Sequence, residues 1–91
     1  MKRALFALGQ IVATPGALEL MKVHNIDGLK LLSRHVTGDW GDLSEDDKKQ
    51  NGYSVSRNLR ILSAYGTADS KLWIITEADR SVTTILRPDE Y

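Results

Sequence analysis

Three apolar segments in the C-terminal third of the chain, Leu59-Arg60-Ile61-Leu62-Ser63-Ala64-Tyr65, Lys71-Leu72-Trp73-Ile74-Ile75-Thr76-Glu77 and Val82-Thr83-Thr84-Ile85-Leu86, constrain the fold more than any other feature. Each is short, rich in β-branched or aromatic residues, and separated from the next by small and polar residues at Gly66–Ser70 and Ala78–Ser81. That pattern predicts three consecutive strands joined by tight connections, which pair as an antiparallel meander. Upstream, Ala4–Ala13 reads as a further strand with a bulge at Gly9, because Ile11-Val12 favours an extended backbone and no helix cap precedes it. A lone ribbon is rarely stable in water, so this strand is expected to join the meander as its fourth member, with helices covering one face.

The helices are announced by their caps. Thr14-Pro15 matches a start, the threonine hydroxyl accepting a backbone N–H and proline losing no hydrogen bond in the first turn, and predicts a helix from Pro15 to about Val23. Leu29, Leu32 and Val36 recur at the spacing of one buried helix face, and Gly38 supplies a left-handed residue to end that helix with His35 on its last turn. Ser44-Glu45-Asp46-Asp47 is a third start, a capping hydroxyl followed by carboxylates at the positive end of the helix dipole. Asn51-Gly52 is expected to stop or kink that helix. The resulting fold class is α+β, a two-layer arrangement of a three- to four-stranded, mainly antiparallel sheet and two or three short helices. With 91 residues and no linker, repeat or low-complexity tract, the chain reads as a single small domain.

Composition excludes more than it assigns. Twelve basic and twelve acidic residues cancel, so no global field draws the chain to nucleic acid or to an anionic membrane. The absence of cysteine removes a disulfide framework and a thiolate zinc site, and suits the cytoplasm. The apolar stretch Ala4–Ala13 is too short to span a bilayer, and its Gly9 and Gln10 make a poor secretory core. No nucleotide-binding glycine loop, nucleophile elbow or metal-binding spacing is present, so neither a cofactor nor a metal is expected.

Two polar clusters are the candidate binding residues. In Arg34-His35-Val36-Thr37-Gly38-Asp39-Trp40-Gly41-Asp42-Leu43, a histidine, two carboxylates and an indole crowd around a glycine-bracketed loop. Trp40 there is either a plug folded onto the core or an exposed anchor of the kind that dominates binding energies, with Asp39 and Asp42 fixing orientation. The second cluster, Glu77, Asp79 and Arg80, sits at the turn between the last two strands, where ordinary hairpin chemistry competes with a role in contact. Arg57, Arg60 and Lys71 beside Tyr65 and Trp73 interleave cations with aromatics, as single-stranded nucleic acid requires, but side-chain alternation separates Tyr65 from Arg60. The tail Arg87-Pro88-Asp89-Glu90-Tyr91 is expected to be a short extended end docked through Tyr91.

His35 with Gly38-Asp39-Trp40-Gly41-Asp42-Leu43, then Asp46-Asp47-Lys48, Arg60–Tyr65, Leu72–Ser81 and the ending Pro88-Asp89-Glu90-Tyr91 resemble a family of small uncharacterised bacterial proteins. Its members are carried on plasmids and integrative elements and described as plasmid-related proteins, or as a restriction–modification subunit. The resemblance covers roughly residues 30 to 91, and Asn51–Ser56 departs from it. It implies a bacterial cytosol and an accessory role for a mobile element, with no activity, cofactor or residue role attached. The expectation is therefore a non-enzymatic protein-interaction module contacting an unknown protein partner through His35, Asp39, Trp40, Asp42, Glu77, Asp79 and Arg80. Nucleic acid is a less favoured partner, no membrane is expected, and an uncovered edge of the meander would permit a homodimer. The alternatives are a small ribonuclease or RNA-binding regulator using His35, Glu77, Asp79 and Arg80, and an inhibitor of a host defence system.

Overall fold

A computed structural model describes residues 3–91. The elements run β1 (Gln10–Ala13), α1 (Pro15–Val23), α2 (Gly28–Val36), α3 (Glu45–Arg57), β2 (Ile61–Tyr65), β3 (Leu72–Thr76) and β4 (Val82–Leu86), with single 3-10 turns at Ala68–Ser70 and Pro88–Glu90. The three C-terminal strands form the expected antiparallel meander, Ile61 opposite Thr76 and Ile74 opposite Ile85. β1 adds to it as the fourth strand, parallel to β4, giving the sheet order β1-β4-β3-β2. The fold is thus α+β, a mixed, mostly antiparallel open sheet with helices packed on it.

Strand alternation sorts the sheet into two faces. Ile61, Ser63 and Tyr65 of β2 share one face with Leu72, Ile74 and Thr76 of β3 and Thr83 and Ile85 of β4. This inner face meets Ala17 of α1 and Leu31 and Leu32 of α2 to make the core. The outer face carries Leu62 and Ala64 of β2, Trp73 and Ile75 of β3, and Thr84 and Leu86 of β4.

Local sequence explains most element boundaries. The Thr14 hydroxyl accepts from Ala17 N at 3.1 Å, Asp27 caps α2 through Leu29 N at 3.0 Å, and Ser44 caps α3 through Asp47 N at 3.2 Å. Three expectations are corrected. The first strand is only four residues long, because Gly9 turns the chain at φ +66°; a Cβ there would lie 2.4 Å from the Ser81 carbonyl oxygen. Residues before it leave the sheet, and Phe6 packs against α2 instead. The buried stripe of α2 is Leu31, Leu32 and His35, whereas Leu29 is exposed, so the three-and-four spacing of Leu29, Leu32 and Val36 picks the wrong edge of the helix.

The third correction concerns α3, which runs uninterrupted through Asn51-Gly52 for 13 residues. Tertiary bonding overrides propensity there. The Asn51 amide donates to Leu62 O at 2.6 Å and accepts from Leu62 N at 3.3 Å, imitating a paired strand along the outer edge of β2. A little further along the same edge, Ala64 N donates to Trp40 O at 3.1 Å and Asp42 N to Ala64 O at 2.7 Å. Gly41 permits this approach, since a Cβ at that position would meet the Ala64 oxygen at 2.0 Å. α3 ends at Asn58, whose left-handed backbone returns its N–H to Ser54 O.

Candidate functional site

In the fold, the two sequence clusters divide into an interior network and two separate surface groups. His35 is fully buried at the last turn of α2. Its Nδ1 lies 2.6 Å from Ser63 Oγ and its Nε2 lies 2.9 Å from Thr76 Oγ1, which lies 2.7 Å from Thr83 Oγ1. Thr83 Oγ1 donates to Leu8 O at 2.7 Å. That last bond sets every proton in the chain by counting donors. Thr83 has one hydroxyl proton and gives it to a carbonyl, so it accepts from Thr76. Thr76 therefore accepts from His35, which assigns the imidazole proton to Nε2 and leaves Nδ1 to accept from Ser63.

A neutral ring satisfies this chain as it stands, whereas a second proton on Nδ1 would require the Ser63 hydroxyl to turn its own proton away and accept. Burial separately pushes the His35 pKa down to about 4, through the loss of hydration around a cation. Phe6 and Trp40 close the site, their rings edge-on to the imidazole at 5.2 and 6.1 Å. Trp40 is 8% exposed. His35 and Trp40 are therefore interior groups and not surface contacts. The glycine-bracketed loop folds its indole inward because Trp40 O and Asp42 N pair with the β2 edge and hold the loop against the sheet. A cation near a helix C-terminus is ordinarily favoured by about 0.3 to 1 kcal/mol, and at His35 the desolvation of the buried ring outweighs that interaction.

Asp39 stays at the surface. It accepts from Arg34 Nε at 2.7 Å, and Arg34 in turn lies 4.5 Å above the Tyr65 ring. The Tyr65 hydroxyl donates to Asp39 O at 2.6 Å, and burial is the largest cause pushing its pKa up to about 12. Asp39 thus clamps the loop onto the Tyr65 end of β2. The other cluster lies at the opposite end, where Ile61 and Thr76 are paired, about 13 Å away at 3.3 Å per strand residue.

At that end Arg80 does not pair with Asp79 or Glu77 through their carboxylates. Its guanidinium donates to four main-chain oxygens, Leu59 O at 2.8 Å, Glu77 O at 3.0 Å, Ala78 O at 3.2 Å and Ser54 O at 3.0 Å. Arg80 thereby ties the last turn of α3, where a cation is favoured, to the β3–β4 turn. This contact also supports the positive φ of Arg80 itself, +60°. Asp79 is held below the usual carboxylate range by the Ser81 hydroxyl and N–H, at 2.6 and 3.0 Å, an ordinary Asx turn. Glu77 faces Arg60 at 3.5 Å. His35, Glu77, Asp79 and Arg80 do not assemble into an acid–base set, because the imidazole lies inside and the guanidinium is engaged by carbonyls.

The more open arrangement lies on the outer face of the sheet. A groove of about 400 Å3 runs between α3 and β2–β3, lined by Leu43, Asp47, Gln50, Asn51, Arg60, Leu62 and Trp73. The C-terminal residue borders it: the Tyr91 ring meets Trp73 edge-on at 5.8 Å, its hydroxyl accepts from Arg60, and its side is 67% exposed. The tail is therefore docked through Tyr91, in a 3-10 turn rather than extended, and Glu90 anchors it by accepting from the Thr14 hydroxyl at 2.6 Å. The signal for this surface was present in the alternation, which sets Arg60 and Leu62 on the face that Trp73 and Ile75 share. Tyr91 could not be placed there without knowing the turn at Pro88.

Comparison of the chain with family models, curated proteins and solved structures gives no match. Among the described residues no helix is long and apolar enough to cross a membrane, and no cluster of three metal-ligating side chains occurs.

Proposed function

We propose that this protein is a non-enzymatic interaction module whose contact surface is the groove between α3 and the outer face of the sheet. The observation that carries this reading is the grouping of Trp73, Tyr91 and Arg60 around an apolar floor of Leu43 and Leu62. Trp, Tyr and Arg are the residues that most often dominate interface energies, because each offers a large apolar area with a polar tip. The occupant is a protein segment that inserts an aliphatic side chain between Leu62 and Trp73 and sets a polar group against Arg60 or Gln50. The resemblance to plasmid-related proteins adds a setting, the bacterial cytosol and an accessory role for a mobile element, of which inhibition of a host defence system is one form. The originally expected contacts contribute differently: Asp39, Asp42 and Arg80 hold the loops that frame the sheet, and His35 and Trp40 fill its interior.

A second reading has one observation in its favour. Arg60 stands 5.9 Å from the Tyr91 centroid beside Trp73, and a cation among aromatics on a sheet face is a platform on which unpaired bases stack. Against it, Glu77 neutralises Arg60 and the chain carries no net charge. Tagged protein purified from its host discriminates the two. A stoichiometric protein that remains with the wild type and is lost from folded Arg60→Ala and Trp73→Ala variants supports the module. Retention by both variants overturns the groove as its site. Nuclease-sensitive material in place of a protein selects the second reading.

A further inference from the structure

The two edges of the sheet are treated unequally. Along β2 the outward N–H and C=O groups of Leu62 are taken by Asn51, and those of Ala64 by Trp40 and Asp42. Along β1 nothing comparable occurs among the described residues. Gln10 N bonds Ser81 O and Thr14 N bonds Ile85 O, so in this parallel ladder the even-numbered residues face β4. Ile11 and Ala13 therefore direct their N–H and C=O groups away from the sheet. Gln10, Ile11 and Val12 are all exposed, whereas β2 and β3 are largely buried. Ile11 and Val12 are large apolar side chains at 48% and 38% exposure, and the strand contains no charge and no proline, the usual means of keeping an edge unpaired.

We propose that β1 pairs antiparallel with β1 of a second copy of this chain, joining two sheets into one of eight strands. This surface is distinct from the groove and stands or falls independently of it. The occupant follows from self-complementarity. With a two-fold axis at Val12, Ile11 of one copy faces Ala13 of the other as a hydrogen-bonded pair, and Ala13 faces Ile11 likewise. The four outward backbone groups of each copy are then satisfied by the same four groups of its partner. On the inner side a large side chain meets a small one. On the outer side Val12 meets Val12 of the partner as a non-hydrogen-bonded pair, the closer kind, on the face opposite α1 and α2. Gly9, with its positive φ, and Pro15, without an N–H, bracket the window and limit pairing to these four residues, which fixes the register.

So short an interface gives a dimer that dissociates on dilution. Sedimentation and light scattering over a concentration series are expected to show the mass doubling toward the highest concentrations. Amide hydrogen exchange is expected to slow at Ile11 and Ala13 over the same range, while Gln10 and Val12, bonded to β4, stay protected throughout. Val12→Lys sets two ammonium groups against each other across the axis from a partly exposed position; Ile11→Pro deletes an outward donor. Either variant, folded by circular dichroism, is expected to remain monomeric. A wild type that stays monomeric at every concentration overturns the proposal, as does a dimer that both variants still form or that leaves exchange at Ile11 and Ala13 unchanged.

Discussion

Acid should destabilise this protein through His35, and by an amount the structure sets. The imidazole is neutral and buried with both nitrogens committed, and its pKa stands at about 4 against 6.5 for the free side chain. Between those values the unfolded chain binds a proton that the folded chain refuses, so stability rises with pH across this window. The contribution is fully present above pH 6.5 and is lost progressively as pH falls from 6.5 towards 4. At about 1.36 kcal/mol per pH unit, the interval corresponds to roughly 3 kcal/mol, a large fraction of the 5 to 15 kcal/mol that holds a small domain together.

Urea unfolding at intervals between pH 7.5 and 4.5 measures this loss, and His35→Gln isolates it, because glutamine does not titrate while every other titrating group of the chain is unchanged. The difference in pH slope between wild type and variant should reach about 1.2 kcal/mol per unit near pH 5 and fade towards zero as pH rises past 7. Histidine 15N shifts test the proton assignment directly: Nε2 protonated and Nδ1 bare at pH 7, with no charged form until the protein begins to unfold. Equal slopes in the two proteins, or a His35 resonance titrating near pH 6.5 in the folded state, would refute the reasoning at its first step, the burial of a neutral ring.

Two further outcomes follow from α3. Gly52 has nothing within 4 Å of a built Cβ and sits in mid-helix, so Gly52→Ala should raise stability by about 0.5 to 1 kcal/mol, read as a higher urea midpoint at constant slope. Asn51→Leu should lower stability by about 2 kcal/mol, since it strips partners from Leu62 N and O while adding no polar replacement, and the Leu62 amide should exchange faster than its neighbours in β2.

The strands were legible because two local signals agreed: β-branched and aromatic composition inside each segment, turn residues between them. The helix starts were legible for a similar reason, a cap being a bond between neighbours in sequence. Where the sequence misled, a distant partner decided the outcome. Asn51 looks like a helix breaker until Leu62 is brought to it, and Ala4–Leu8 looks like strand until Gly9 turns it away from the sheet toward Phe6's place over His35. The candidate residues follow the same rule. A histidine, an indole and an arginine are as well suited to closing an interior as to binding a partner, and only their positions tell the two apart. His35 proved to be the hub of a hydroxyl chain linking Ser63, Thr76 and Thr83, residues that read as plain strand formers.

The polar residues of this chain are spent on holding unlike elements together, and that has a bearing on where binding occurs. Arg80 joins a helix end to a hairpin turn, Asp39 joins a loop to β2 through Arg34 and the carbonyl bonded by Tyr65, and Asn51 joins a helix to a strand edge. Each satisfies backbone groups that would otherwise invite another chain. Among the described residues, two unoccupied features are then informative by contrast: the bare strand edge at Ile11–Ala13, and the aromatic groove bordered by a tyrosine two-thirds exposed to solvent. A chain that closes the β2 edge with a loop and a side-chain amide has the means to close β1 as well, by a lysine or a proline in four residues, and its sequence there is Gln-Ile-Val-Ala.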